Sequence, residues 1–304
     1  MTSNSRWSAI AIGILATFIF QSTCSAGPMN TGELVTIDFT TDDSGRPLTH
    51  GQVISTLPDV QLSDSLFEFG SFVSISTSQG ASGHLGAVIF DSTPGGPGET
   101  LGDPDVDLLV DMGNILTLQD PKSPNNTDTG AGANGLVFNN PDDVRLPGAG
   151  SILFEFVEPV APKSVDIIDA DKGVGGEVVL TDIFGNQRTY TIHPHWTFDI
   201  SKDGPNGYAT LLLDELAAQD AEGAGEDQIP GNLDDYATVV DLGLDDQNVE
   251  TIEFRFLGQE PDGWSSFGID NLVVQRRIPE PSTMALISLA GLVAIAARRR
   301  LNRK

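Results

Sequence analysis

The sequence predicts an all-β protein built around a β-sandwich core. Three observations carry that expectation. Many short segments are rich in β-forming residues, Gly, Pro, Asn and Asp punctuate them, and no sustained helical period runs through the middle of the chain. The strand-like segments are 34–39, 67–76, 87–90, 115–118, 151–157, 164–168, 177–182, 188–193, 208–213, 251–257 and 267–275. Residues 181–187, Thr-Asp-Ile-Phe-Gly-Asn-Gln, lie between two of these segments and read as a hairpin turn. The stretches 80–86, 94–104 and 120–135 read as long loops, and 214–235 reads as an acidic loop without a cation. One short helix is expected at 211–219. A boundary near residue 145 is conceivable, but strands from both halves are expected to pair in one domain.

Charge narrows the function. Lys and Arg total 16 and Asp and Glu total 43, for a formal net charge of −27. Six of the cations (Arg6, Arg298, Arg299, Arg300, Arg303 and Lys304) and a single acid, Glu280, lie outside residues 27–278. The core is therefore more acidic than the whole chain. Such a field repels phosphate backbones and anionic lipid, so nucleic acid is not an expected partner, while cations are attracted. Simple solubility, or adaptation to salty water, is the competing explanation of the acidity. The one cysteine, Cys24, falls in the first 26 residues, which leaves the core without a disulfide or a thiol nucleophile.

Both ends of the chain read as addresses. Residues 1–26 have the three parts of a secretory signal peptide. Arg6 opens it, 7–20 is an apolar run, and Cys24-Ser25-Ala26 offers small side chains before a cut after Ala26. A lipidated Cys24 is the rival reading, and Gln21 and Thr23 fit it poorly. At the other end come Pro279-Glu280-Pro281, an apolar run over 284–297, and the basic stop Arg298, Arg299 and Arg300. As a helix that run spans about 21 Å, short against a hydrocarbon core of about 30 Å, but Ser282, Thr283 and the arginine stems can extend it. The basic end should stay cytoplasmic, which places the core outside. A plain C-terminal anchor is the alternative.

This tail resembles the PEP-CTERM sorting signal. The resemblance covers about the last 26 residues. It implies processing by an exosortase, a membrane-embedded cysteine transpeptidase, after export by the secretion machinery. The C-terminal transmembrane helix would hold the chain in the membrane until then. It also implies a link to exopolysaccharide or biofilm. Pro279, Glu280 and Pro281 would be recognised rather than catalytic, and the prolines would keep the motif extended. The expected organisation is thus a signal peptide at 1–26, an acidic β-sandwich at 27–278 and a sorting signal at 279–304.

A second, more diffuse resemblance spans roughly 34–275. The segments 86–92, 113–120, 165–171 and 178–182 look like β-sandwich modules of secreted proteins. Phe267-Gly268-Ile269-Asp270-Asn271-Leu272-Val273-Val274 resembles the closing strand of jelly-roll modules, including carbohydrate-binding ones. It implies a jelly-roll-like sandwich and transfers no catalytic residue.

Calcium is the most natural ligand for this chain, because it takes six to eight oxygens and is plentiful outside cells. Candidate ligands are Asp103, Asp105 and Asp107, then Asp166, Asp169 and Asp171, and Asp270, which matches an acid that often binds structural calcium in jelly rolls. The first group is not an EF-hand, since Leu108 and Asn114 stand where Gly and Glu are needed. Turn chemistry is the plainer reading of each group. His193 and His195 lack further zinc ligands, and His50 and His84 are isolated. Trp196, Trp264, Tyr190 and Tyr208 could stack on sugars, although burial is the default for aromatics in a sandwich. Trp264, in a polar turn, is the candidate for glycan binding. No Gly-x-Ser-x-Gly elbow, His-Glu-x-x-His or P-loop occurs, so the chain is not expected to be an enzyme. The expected function is a structural or adhesive surface protein. A module binding exopolysaccharide is the alternative, and a glycan hydrolase a weaker one.

Overall fold

Among the described residues, alternating and β-branched sequence becomes strand almost throughout. The described residues form twelve strands, namely β1 (Leu34–Ile37), β2 (Val73–Thr77), β3 (Gly86–Asp91), β4 (Asn114–Gln119), β5 (Ser151–Ile168), β6 (Val174–Asp182), β7 (Gln187–Ile192), β8 (Tyr208–Leu212), β9 (Gln219–Asp220), β10 (Tyr236–Asp241), β11 (Val249–Gly258) and β12 (Gly268–Arg276). A single four-residue helix, α1 (Pro97–Thr100), accompanies them among the described residues. The computed structural model describes residues 32–42, 45–54, 72–78, 86–100, 108–119, 150–170, 174–193, 196–197, 207–220, 236–258 and 267–276. Residues 32–277 make one compact unit by themselves. The termini at 1–31 and 278–304, with the expected signal peptide and sorting helix, lie outside the described residues, and no described helix is long and apolar enough to cross a membrane.

All the strand pairings are antiparallel, in the order β3-β4-β12-β5-β11-β6-β7-β10-β9, with β1 also on β12 and β2 and β8 also on β5. The long strand β5 organises the sheet. Its first half pairs with β2 and β11, and its second half with β8 and β12. Two strands were expected here, 151–157 and 164–168, because Pro159 and Pro162 intervene. The chain instead runs through as one strand. The prolines, which have no N–H to give a ladder, sit where β5 exchanges one set of partners for the other. Val160 marks the changeover, facing Val249 on one side and Arg276 on the other.

The core is consistent with a β-sandwich. Side chains from both sets of strands share one apolar cluster, including Phe39, Phe154, Phe254, Phe256 and Phe267. Phe154 and Phe254 meet edge to face at 5.6 Å, and Phe256 and Phe267 lie 4.6 Å apart. Gly176 permits that second contact, because a Cβ there would lie 2.4 Å from the Phe267 ring.

The helix expected at 211–219 does not form. Leu211 and Leu212 complete β8 against β5, and the Leu213 N–H donates to the Lys163 carbonyl at 2.8 Å. The Gln219 side chain then bonds both the N–H and the carbonyl of Leu212. Ladder partners supplied by β5 outcompete a marginal local helix. The hairpin expected at 181–187 does form between β6 and β7.

Candidate functional site

Two acids of this fold that look alike in sequence have opposite surroundings. Asp182, at the end of β6, is 1% exposed. Its carboxylate accepts from the N–H groups of Phe184, Asn186 and Asp245 and from the Asn186 side chain, at 2.8–2.9 Å. Burial pushes its pKa up, but these donors outweigh burial and bring it to about 2. Three of these bonds close the hairpin and the fourth ties it to the β10–β11 connection, so its role is structural.

Asp270 on β12 is the contrast. It is 2% exposed, and its Oδ1 is buried with no hydrogen-bond partner. It faces Asp166 of β5 directly across the ladder. Side chains paired in this way have Cβ atoms about 5 Å apart, and like charges so placed repel. Asp166 is itself half-committed: Thr210 of β8 donates to its Oδ1 at 2.6 Å and Asn271 Nδ2 to its Oδ2 at 2.9 Å. Burial drives the Asp270 pKa up to about 7, the Asn271 N–H opposes this, and the charges of Asp166 and Asp38 add to it. The pair closes a regular stretch of ladder, and an irregularity follows it at once. The β12–β5 register shifts between Asp270 and Val273, and Asn271 adopts a left-handed φ of 47°. Chemically this is a buried carboxyl pair with spare oxygen lone pairs and an unmet demand for positive charge, either a proton or a cation.

The other expected calcium ligands divide in two. Asp169 is buried just past β5, also at positive φ (60°), and three residues along the chain from Asp166 it does not join the pair. Among the described residues, no three His, Cys, Asp or Glu side chains form a metal-binding group. Asp103, Asp105, Asp107 and Asp171 lie outside the described residues, as does the glycan candidate Trp264. Tyr190 and Trp196 are buried, so neither offers a face to a sugar, whereas Tyr208 is 48% exposed. His50 is also structural in its contacts, with Nδ1 accepting the Asp91 N–H and the ring edge-on to Phe90.

Sequence reasoning missed Arg188, the largest fully buried side chain among the described residues. Its guanidinium binds Asp241, Asp246 and the Leu213 carbonyl, and the neighbouring Tyr190 hydroxyl donates to Leu213 and Glu215 carbonyls. The available signal was an arginine at an inward position of the strongly alternating β7.

The C-terminal address is decided by comparison. Residues 277–300 match the family model of the PEP-CTERM protein-sorting motif. This chain carries a PEP-CTERM sorting signal. The match spans Pro279-Glu280-Pro281, the apolar run and Arg298, Arg299 and Arg300, all outside the described residues. A PEP-CTERM protein is exported, transiently anchored by its C-terminus, and sorted to the cell surface by an exosortase. No curated protein and no solved structure matches the chain.

Proposed function

We propose that the acidic β domain is a non-catalytic structural or adhesive element of the cell-surface matrix, jelly-roll-like in architecture and linked to exopolysaccharide, with calcium bound at the Asp166–Asp270 seam. The observation that carries this reading is the buried, unpartnered Oδ1 of Asp270 facing a second carboxylate. The oxygens present suit a hard cation: the carboxylates of Asp166 and Asp270 with the Thr210 hydroxyl beside them, and no sulfur or imidazole. Asp166 and Asp270 would hold the ion, and Asp38 would add its negative field from the flank. Bound calcium would supply charge neutralisation, turning a repulsive cross-strand pair into a bridge between β5 and β12.

A ligand that binds only the native state adds about 2.7 kcal/mol at a hundred times Kd. For a domain of this size that corresponds to a rise of several degrees in melting temperature, at about 2–4 °C per kcal/mol. The test is a thermal melt with EDTA, with millimolar calcium, and with sodium chloride at matched ionic strength. A calcium shift well beyond the sodium shift, and lost in Asp270→Asn, is expected. Equal shifts in the two salts would mean general screening of an acidic surface and would remove calcium from the reading.

A further inference from the structure

The first and last strands of the domain pair with each other, immediately before the sorting motif. β1 lies along β12 with Leu34 opposite Gln275 and Ile37 opposite Leu272. Beyond the ladder the Arg276 N–H donates to the Glu33 carbonyl at 2.9 Å, and Gln275 Nε2 donates to the Gly32 carbonyl at 3.1 Å. Packing there is tight: a Cβ on Gly32 would lie 1.6 Å from the Arg276 carbonyl oxygen. The Arg276 guanidinium also sits over the Phe72 ring at 4.8 Å. On its other flank β12 is bonded to β5 out to Arg276. The last residues of β12 are therefore held from both sides.

Two residues, Arg277 and Ile278, separate Arg276 from Pro279. Three extended steps of chain reach about 10 Å. A membrane-embedded processing enzyme must take the motif into an active site with no more slack than that, next to a fully paired strand. We infer that the β1–β12 pairing is a clasp that competes with processing: the exosortase acts on chains whose β12 end is still undocked, and closure of β1 onto β12 ends that window. The topology favours such an order. β12 is the last strand to leave the secretion machinery, and its partners β1, β4 and β5 are all distant in sequence. Long-range pairing of this kind is slow to form. Processing breaks one peptide bond. The acyl fragment passes to an amine or to water, and the tail leaves as an amine carrying the nucleophile's proton.

This inference rests on the sorting signal and not on calcium, so the two can fail separately. The experiment is pulse–chase of the full-length protein in cells that contain the exosortase, following loss of the tail by mass. One variant carries six Gly-Ser residues inserted between Ile278 and Pro279. Another is Gly32→Val, which cannot close the clasp. Val178→Ala, a core truncation in β6, controls for general instability. Several-fold faster tail loss in the insertion and Gly32→Val variants, with Val178→Ala at the wild-type rate, is expected. Unchanged rates in both would overturn the inference. Equal acceleration by Val178→Ala would assign the effect to global unfolding. Acceleration by the insertion alone would show crowding by a folded domain without a clasp, and would overturn it too.

Discussion

Asp270 and Asp182 show what a single carboxylate contributes in this protein, and the sign of each contribution can be measured. The folded state raises the Asp270 pKa to about 7. Between about pH 4, where the unfolded chain loses this proton, and about pH 7, the native state holds a proton that the unfolded state does not. Stability from this group is therefore full at low pH and falls as pH rises through that window, by up to about 1.4 kcal/mol per unit. Asp182 has the opposite sign. With its folded pKa lowered to about 2, its stabilisation is present above about pH 4 and is lost as pH falls towards 2. Urea unfolding of wild type without calcium should therefore weaken from pH 5 to pH 7, and Asp270→Asn should flatten that slope. Because calcium and the proton compete for the same oxygens, the calcium shift should be larger at pH 8 than at pH 5. A wild-type stability that climbs steadily from pH 5 to 7, with the same slope in Asp270→Asn, would refute the buried-proton account.

At the scale of elements, the β6–β7 hairpin is set by one side chain, whereas β5 is set by its partners. Asp182→Ala strips four partly buried donors of their acceptor, at about 0.5–1.5 kcal/mol for each hydrogen bond lost. Asp182→Asn keeps the shape but loses the charge. Denaturant melts should rank wild type above Asp182→Asn and Asp182→Ala lowest, while Asp241→Ala, which strips Arg188 of one partner, should also destabilise. An Asp182→Ala midpoint equal to wild type would remove the hairpin from the list of structural anchors. These elements also show what the sequence could tell. β7 was legible because its burial alternates strictly, and the hairpin because Asp, Gly and Asn sit at the positions that a turn needs. β10 was missed although 236–240 reads Tyr-Ala-Thr-Val-Val: the run is short and follows directly on the acidic stretch 214–235, and the strand lies near one end of the sheet order with Val240 59% exposed. The Asp166–Asp270 pair was nameable only as two separate acids. Its partners stand 104 positions apart in the chain, and only the long-range β5–β12 register, which no local pattern specifies, brings them opposite each other.

Over the whole molecule, charge and order along the chain decide more than any one site. Nearly all the acids lie between the two termini, and the last seven residues, Arg-Arg-Arg-Leu-Asn-Arg-Lys, hold five of the 16 cations. A positive end that resists translocation would hold the chain in one orientation, with the acidic domain outside, until it is processed. The apolar run at 284–297 is short for a span unless flanking residues extend it, which suits a transient anchor better than a permanent one. Removing the residues beyond Pro279-Glu280-Pro281 would leave the surface form more acidic than the precursor and with no membrane segment at its C-terminus. Intact-mass analysis of protein recovered from the cell surface should therefore find a species without the basic end. Glu280→Ala should keep the tail and remain in the membrane fraction, with the melting temperature of the β domain unchanged. Lys304 still present in the mature surface species would leave the tail as a plain anchor and would withdraw the processing step.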